Sequence, residues 1–356
     1  LLSRVGLNDA FLFLRSYEQL SDGQKYRYRL AKLMESKAQF WIMDEFCTAL
    51  DRDTAKIVAY NVQKQARRLG KAVLAATTHM DLFEDLAPSV HIHKGWGKRI
   101  SIKYYPNKLN RVCSVTRNLH IEEGTLEDYK QLAEFHYRSQ RHPPPIKIYA
   151  LRRNDGETVG VILYSYPPLS IFGRKKAVGR TVNVEELNRD WALISRVIIH
   201  PKYRSIGLGV RLVKETLPRV GRKYVETMAV MALYNPFFEK AGMKRIAERK
   251  PNRMIIETIE ALEKLGFKRH LLASEEYNLK KLRSLRDEEI REVIDALKKT
   301  GQYKRLMATG KAYPRREEFE EWIARQDLRR LAKVLTRLAV LAETKVYLFW
   351  ERQSHV

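Results

Sequence analysis

Ile194-Ser-Arg-Val-Ile-Ile-His-Pro201-Lys-Tyr-Arg204-Ser-Ile-Gly207-Leu-Gly209 decides how the chain is read. Its first half is rich in β-branched residues, so Leu193–Ile199 is predicted to be a buried strand. Two glycines follow at once, and Gly207–Leu217 is predicted to be a helix. Glycine lets backbone N–H groups come close to a ligand. At the start of a helix, those N–H groups and the helix dipole suit a diphosphate. Arg204 adds positive charge to the turn.

Working outward, Tyr224–Ala232 reads as another strand, and Asn235-Pro-Phe-Phe-Glu-Lys-Ala-Gly242-Met243 opens a short helix. Strand, arginine–glycine turn, helix, strand and this last segment together resemble the GNAT acetyltransferases, whose central motif is R/Q-x-x-G-x-G/A. Arg204, Gly207 and Gly209 match it. A different phosphate-binding turn in a plain α/β domain would not account for the second segment. The resemblance implies acetyl-CoA as cofactor. Ser205, Ile206 and Leu208 would line the diphosphate with the matched residues. The Val197, Ile198 and Ile199 backbone would pair with the pantetheine arm, and Asn235 and Phe238 would lie beside it. Many of these enzymes carry a tyrosine where this chain has Phe238, and that tyrosine protonates the leaving thiolate. Tyr234 is the nearest substitute, or else a strand-end aromatic. A base is also needed to take the proton of the attacking amine. Glu226 is the first candidate and His200 the second. Either could instead be a solvated strand-end residue.

Upstream, residues 1–100 alternate helical patterns with short apolar runs, Gln39–Met43 and Ala72–Thr77, the rhythm of a parallel α/β sheet. Leu20-Ser21-Asp22-Gly23-Gln24 opens a helix, an apolar strand ends in Asp44-Glu45, Ala49-Leu50-Asp51 follows, and a later strand ends in His79. In that order they resemble the C-terminal half of the ATP-binding-cassette (ABC) ATPases. The resemblance implies that Ser21, Gly23, Gln24 and Asp51 contact ATP held by a second subunit. It also implies that Asp44 holds Mg²⁺, Glu45 polarises the attacking water and His79 meets the γ-phosphate. No G-x-x-x-x-G-K-[ST] loop occurs in the chain. Either an N-terminal portion carrying that loop is missing or this half is a docking remnant; the first residue, Leu1, favours the first expectation. Lys94-Gly-Trp-Gly-Lys-Arg99 breaks the pattern, and a boundary is placed near Asn107.

Between these regions, Thr125–Arg138 is predicted helical, with Thr125 as cap. Pro143-Pro144-Pro145 reads as a rigid connector. Ala150–Arg153 and Val159–Tyr166 read as an antiparallel pair around Asn154-Asp155-Gly156. The tail from about Asn252 is mostly helical. Gly301 closes one helix, another runs from Pro314 to about Glu343, and Lys345–Glu351 is a final strand. Arg325, Arg329, Lys333 and Arg337 recur every four residues and predict a stripe of like charge. Such spacing destabilises a helix by roughly 0.2–0.5 kcal/mol per pair. The stripe suggests a nucleic-acid backbone, or simply a solvated face.

The 356 residues suit two or three domains. Lys+Arg 67 against Asp+Glu 42 gives +25, which favours anionic partners and disfavours cationic substrates such as free polyamines. Two cysteines exclude a disulfide scaffold or a cysteine-built zinc site, and fit a cytoplasmic location. No run of about 18 apolar residues occurs, so no membrane span is expected.

The fold class expected is α/β. A partial ABC-ATPase parallel-sheet domain (residues 1–107) precedes a GNAT-type mixed α+β domain (residues 108–356) with a helical insertion at about 255–343. The combination resembles an archaeal type in which the two are fused. The expected function is acetyl-CoA-dependent N-acetylation of a nucleic-acid amine, RNA favoured, coupled to an ATPase that dimerises on ATP and Mg²⁺. The alternatives are an acyl-CoA-binding sensor that regulates the ATPase, or a protein N-acetyltransferase.

Overall fold

The computed structural model describes residues 1–8, 12, 15–106, 109–136, 142–308 and 314–353. The expected boundary at Asn107 lies outside them. The N-terminal unit begins with helix α1 (Asp22–Glu35). Ser21 caps it in a reciprocal capping box, donating its N–H to Gln24 and accepting from the Gln24 amide. Strand β1 (Phe40–Met43) and strand β2 (Ala72–Ala75) pair in parallel across helix α2 (Arg52–Leu69). Asp51 caps α2 and Gly70 ends it in the left-handed conformation. A short helix α3 (Phe83–Leu86) follows. Strands β3 (Val90–Lys94) and β4 (Ile100–Tyr104) form an antiparallel hairpin. The Lys94–Arg99 passage, expected to break the pattern, is the connection of this hairpin.

The second unit is built on a seven-stranded sheet. Its strands are β5 (Leu119–Glu123), β6 (Pro145–Arg153), β7 (Thr158–Ser165), β8 (Trp191–Ile199), β9 (Tyr224–Ala229), β10 (Lys244–Arg249) and β11 (Lys345–Glu351). Their order is β10-β11-β9-β8-β7-β6-β5. Pro145, read as connector, is the first residue of β6. Helix α4 (Leu126–Leu132) is shorter than predicted, because a tighter 3₁₀ turn at Ala133–Phe135 closes it; the predicted end at Arg138 lies outside the described residues. Helices α5 (Arg174–Val178) and α6 (Val184–Asp190) fill the β7–β8 connection. Helix α7 (Leu208–Thr216) follows β8, and α8 (Phe237–Lys240) follows β9.

Alternation along β11 shows why it sits inside the sheet, between β10 and β9, rather than at an edge. Val346 and Leu348 enter the core on the α7 face, whereas Tyr347 and Phe349 enter the cluster under α5 and α6. Before β11 the chain makes an excursion through α9 (Arg253–Lys264), α10 (Glu275–Arg283), α11 (Asp287–Lys298), α12 (Tyr303–Met307), α13 (Arg316–Ala324) and α14 (Leu328–Leu341), which share their own core. The helix expected from Pro314 to Glu343 is therefore two. Asp327 breaks it by capping α14, accepting from the Arg330 amide at 2.7 Å.

The two units are fused by α2. Val58, Val62 and Ala66 pack on β1, while Ile57 and Tyr60 belong to the core of the seven-stranded sheet. The Tyr60 hydroxyl also donates to the Arg111 carbonyl at 2.8 Å. No helix among the described residues is long and apolar enough to cross a membrane.

Candidate functional site

Strands β8 and β9 make a fork. Among the described residues they are the only parallel neighbours in their sheet, and their register covers Trp191–Leu193 against Tyr224–Glu226 alone. One further tie, from the Thr227 hydroxyl to the Ile194 carbonyl at 3.0 Å, closes the crotch. Beyond it, the β9-facing edge of Val197, Ile198 and Ile199 has no strand to pair with, while the other edge is paired to β7. A slot with one free strand edge suits an extended amide-bearing arm.

The turn at the open end of the fork carries the second feature. Ser205 and Gly207 both have positive φ, 74° and 90°. Gly207 caps α7 without a side-chain partner, so the first amides of the helix are free. Among the described residues, no protein acceptor takes the N–H groups of Ser205, Ile206, Gly207, Leu208, Gly209 or Val210. Nothing stands within 4 Å of where a Cβ on Gly207 would be, so the turn opens to solvent. A row of free amides at a helix start is suited to a diphosphate.

Several expected site residues are placed elsewhere. Arg204 does not point to the open turn. Its guanidinium donates to the carbonyls of Ile199 at 2.8 Å, Asn8 at 2.9 Å and Phe135 at 3.3 Å, so it acts as a clamp on backbone. Glu226 is fully buried, with both carboxylate oxygens engaged by Arg174 and one also by the Tyr347 hydroxyl. It is not an open base, because no oxygen is left to reach an amine. Phe238 packs in the core with Phe237. Asn235 is exposed beside Tyr234, which is 80 % exposed. His200 is half-buried against Phe135, and its Nδ1 accepts from the Lys202 amide at 3.3 Å. Burial holds its pKa below the ordinary histidine value, so it is neutral near pH 7.

In the N-terminal unit the structure gathers the expected residues at one end of the β1–β2 pair. The Phe46 amide donates to Ala76 at 2.7 Å and the Thr77 hydroxyl to Phe46 at 2.9 Å, which sets Asp44 and Glu45 beside the segment leading to His79. The Tyr26 hydroxyl accepts from the Cys47 amide at 2.9 Å and joins α1 to the same loop. Glu45 and Cys47 both have positive φ, a concentration of backbone strain worth roughly 1–3 kcal/mol each. Ser21 and Gln24 are occupied in their capping box, and Gly23 packs on Ala49 and Leu50. Asp51 is engaged by Thr54 and by Lys202 of the other unit. Asp44 is exposed, its Oδ1 accepts from the Glu45 amide, and no cluster of three metal-ligating side chains occurs among the described residues. The residues present do not make a metal site on their own.

The four-residue cationic stripe is not formed. Arg325 closes α13 near Glu321, whereas the other three lie on α14. Lys333 faces Glu275, and Arg337 donates to the Leu306 carbonyl. Sequence reasoning missed Arg174, Tyr347 and Lys202. No spacing could have found them, because each acts on a residue far along the chain.

Comparison with known proteins gives the class. Residues 113–243 match the model of the acetyltransferase (GNAT) family, and this stretch is a GNAT acetyltransferase domain. Similar solved structures include a Bacillus subtilis acetyltransferase in complex with CoA, at 16% identity, covering 37% of this chain and 81% of that one with a TM-score of 0.25. Arylalkylamine N-acetyltransferase 2 from Aedes aegypti is 16% identical, with 37% of this chain and 86% of that one covered and a TM-score of 0.27. A shorter part of the chain is similar to ATP-binding transport proteins. The cytochrome c biogenesis ATP-binding export protein CcmA of Aliivibrio fischeri is 42% identical over 67 residues, 19% of this chain and 32% of that protein. The methionine import ATP-binding protein MetN 2 of Rhodococcus jostii is 34% identical over 93 residues, 26% of each. The chain thus spans about a third or less of the curated relatives it matches.

Proposed function

We propose that the chain is an acetyl-CoA-dependent N-acetyltransferase joined to part of an ABC-type ATPase. One observation carries this reading: the β8–β9 fork opens directly onto the free amides of residues 205–210. Those amides and the dipole of α7 hold the diphosphate, and the free edge of Val197–Ile199 pairs with the pantetheine arm. Acetyl-CoA, when bound, supplies an activated thioester. The fork excludes water from the thioester and aligns it for an acceptor amine. An acceptor amine held there would form its bond to the acyl carbon as the carbon–sulfur bond broke, with CoA leaving as the thiolate and the amine proton passing to that thiolate or to solvent.

The acceptor we favour is an RNA amine, for which the support is the +25 charge. The N-terminal unit, completed by ATP, Mg²⁺ and a second copy of the chain, would load that substrate. A second reading is favoured by Glu226 and Phe238. The Glu226 carboxylate is held by Arg174, and Phe238 stands where many of these enzymes carry an acid tyrosine, which suits a sensor that binds acyl-CoA without turning it over.

Calorimetric titration with CoA, followed by incubation of labelled acetyl-CoA with total RNA, tests these readings. Binding plus label in RNA supports the enzyme, and binding with no transfer to RNA or any amine pool supports the sensor. Absence of CoA binding overturns both.

A further inference from the structure

A set of cations without partners gathers at one edge of the seven-stranded sheet. Strand β10 is that edge, paired to β11 alone. Its register sets Lys244 opposite Phe349, Ala247 opposite Tyr347 and Arg249 opposite Lys345. Phe349 and Tyr347 enter the cluster under α5 and α6, so Lys244 and Arg249 lie on that face of the strand. Helix α5 packs on β10 from the same face through Ala177 and Val178, and its exposed side carries Lys175 and Lys176. Lys250 follows Arg249. All five cations are exposed, and among the described residues none has an ion-pair or hydrogen-bond partner for its side chain.

Neighbouring cations differ. Arg245, on the other face of β10, pairs with Glu248 at 2.5 Å. Arg180 pairs with Glu186 and Arg253 with Glu257, both at 2.7 Å. Those carboxylates are taken, and the five are left uncompensated. A polyanion relieves such repulsion and releases its own counterions. The apolar residues between the cations, Val178, Ile246 and Ala247, turn into the cluster beneath. The patch therefore lacks the apolar centre of a protein interface, whereas lysine and arginine alone suffice for phosphates.

The patch also lies on the side from which an acceptor can reach the fork. Helix α7 and its core fill one face of the sheet. On the other face the cluster under α4 and the cluster under α5 and α6 are separate. Between them β8 presents Ser195 and Arg196, both half-buried, directly after the tie at Ile194 that closes the crotch. Arg174, which reaches Glu226 at that crotch, immediately precedes Lys175.

We propose that Lys175, Lys176, Lys244, Arg249 and Lys250 hold the phosphate backbone of the RNA acceptor and deliver its amine to the gap beside the crotch. The inference rests on the RNA reading above and gives that reading a surface. It makes affinity depend on where the charge sits, not on the net charge of the chain.

The test is filter binding of polyuridylate to the whole chain across a salt series. The patch variant is Lys175→Gln/Lys176→Gln/Lys244→Gln/Arg249→Gln. Each phosphate contact contributes about 0.7 to the slope of log affinity against log salt, so the slope is expected to shrink by about 2–3, and Kd at about 0.1 M salt to rise about tenfold or more. The control variant Arg117→Gln/Lys147→Gln/Lys298→Gln/Arg316→Gln removes the same charge from cations already paired with carboxylates. Its slope is expected to change by less than about 1. CoA Kd, read by calorimetry, is expected to stay within about twofold in the patch variant.

If the wild type binds no polyuridylate at low salt, the RNA reading falls and takes the patch with it. If it binds, but the patch variant binds as well as the wild type or no worse than the control, the patch alone is overturned. Polyglutamate that competes as effectively as unlabelled polyuridylate would assign the patch to an acidic protein and also overturn it. Should the patch variant lose its fold by circular dichroism, lysine acylation of the wild type decides the matter. Protection of Lys175, Lys176 and Lys244 by polyuridylate supports the proposal, and its absence overturns it.

Discussion

Arg174 and Glu226 meet as a buried pair at the crotch of the fork, Nη2 to Oε1 at 2.6 Å and Nε to Oε2 at 3.1 Å. Arg174 also donates to the carbonyls of Pro168 and Leu169 and lies over the Trp191 ring, so it pins the β7–β8 connection onto the sheet. Tyr347 completes the arrangement, donating to Glu226 at 2.6 Å. Burial, then the Glu226 charge, raises the Tyr347 pKa, which keeps that donor protonated. Every strong group in the triad is satisfied, and none is left for a substrate.

Removal of one partner should therefore be costly. Arg174→Met leaves a buried carboxylate without its charge partner and is expected to destabilise the fold by about 3–5 kcal/mol, read from urea denaturation. The double variant Arg174→Met/Glu226→Leu should recover part of that loss.

Glu226→Gln separates the structural role from a catalytic one. A general base supplies about 10²–10⁴ in rate, so if Glu226 were the base its loss would show in kcat on that scale. The expected result is a change in kcat below about tenfold, with the larger effect on melting temperature.

The glycines of the diphosphate turn should behave differently. Gly207→Ala puts a side chain at φ 90°, at a cost of roughly 1–2 kcal/mol, and places a methyl beside the free amides. CoA Kd is expected to rise at least about tenfold, or 1.4 kcal/mol. Gly209 has no positive φ, and its Cβ would meet Phe237 at an ordinary 3.6 Å. Gly209→Ala should leave stability in urea denaturation unchanged or raise it by up to about 1 kcal/mol.

Acid should weaken the join between the units. Burial works against the Asp51 charge, but hydrogen bonds from Thr54 and Lys202 overcome it and hold its pKa below the ordinary carboxylate value. That stabilisation is present above the unfolded carboxylate pKa and is lost as pH falls through the lower folded value. His200, lowered chiefly by burial, acts in the same direction: stability is full above the unfolded histidine pKa and declines as pH falls through the folded one. Chemical denaturation across pH 7 to 3 should show a monotonic loss. In Asp51→Asn the carboxylate part should be smaller.

Cys47 should be inert in the native state. Burial pushes its thiol up to about 12, so little thiolate exists at pH 8. A chromogenic disulfide reagent is expected to react with it only on unfolding.

Much of the architecture was legible along the chain. The final strand is found at Lys345–Glu351 as read, and the turn at Asn154–Gly156 joins β6 to β7. Both rest on short-range signals, alternation and turn chemistry. The hairpin of β3 and β4 was missed because its apolar residues do not show one inward face. Ile92, Ile100 and Ile102 are exposed, and Trp96 at the tip is 95 % exposed. The stretch from Pro314 to Glu343 was read as one helix because apolar periodicity continues across Asp327, whereas the capping bond there ends it.

The sequence alone determined the final strand, the glycine turn before α7 and the cap before α1, since each depends on neighbours within a few positions. Only the tertiary structure decided what the charged residues do. Glu226 was open to a catalytic role until the sheet order brought Arg174, 52 residues away, and Tyr347, 121 residues away, onto its carboxylate. Arg204 was open to an anion until the fold set the carbonyls of Asn8, Phe135 and Ile199 around it. A charge takes its role from whatever the fold sets within about 3 Å of it, and no periodicity in the chain encodes that distance.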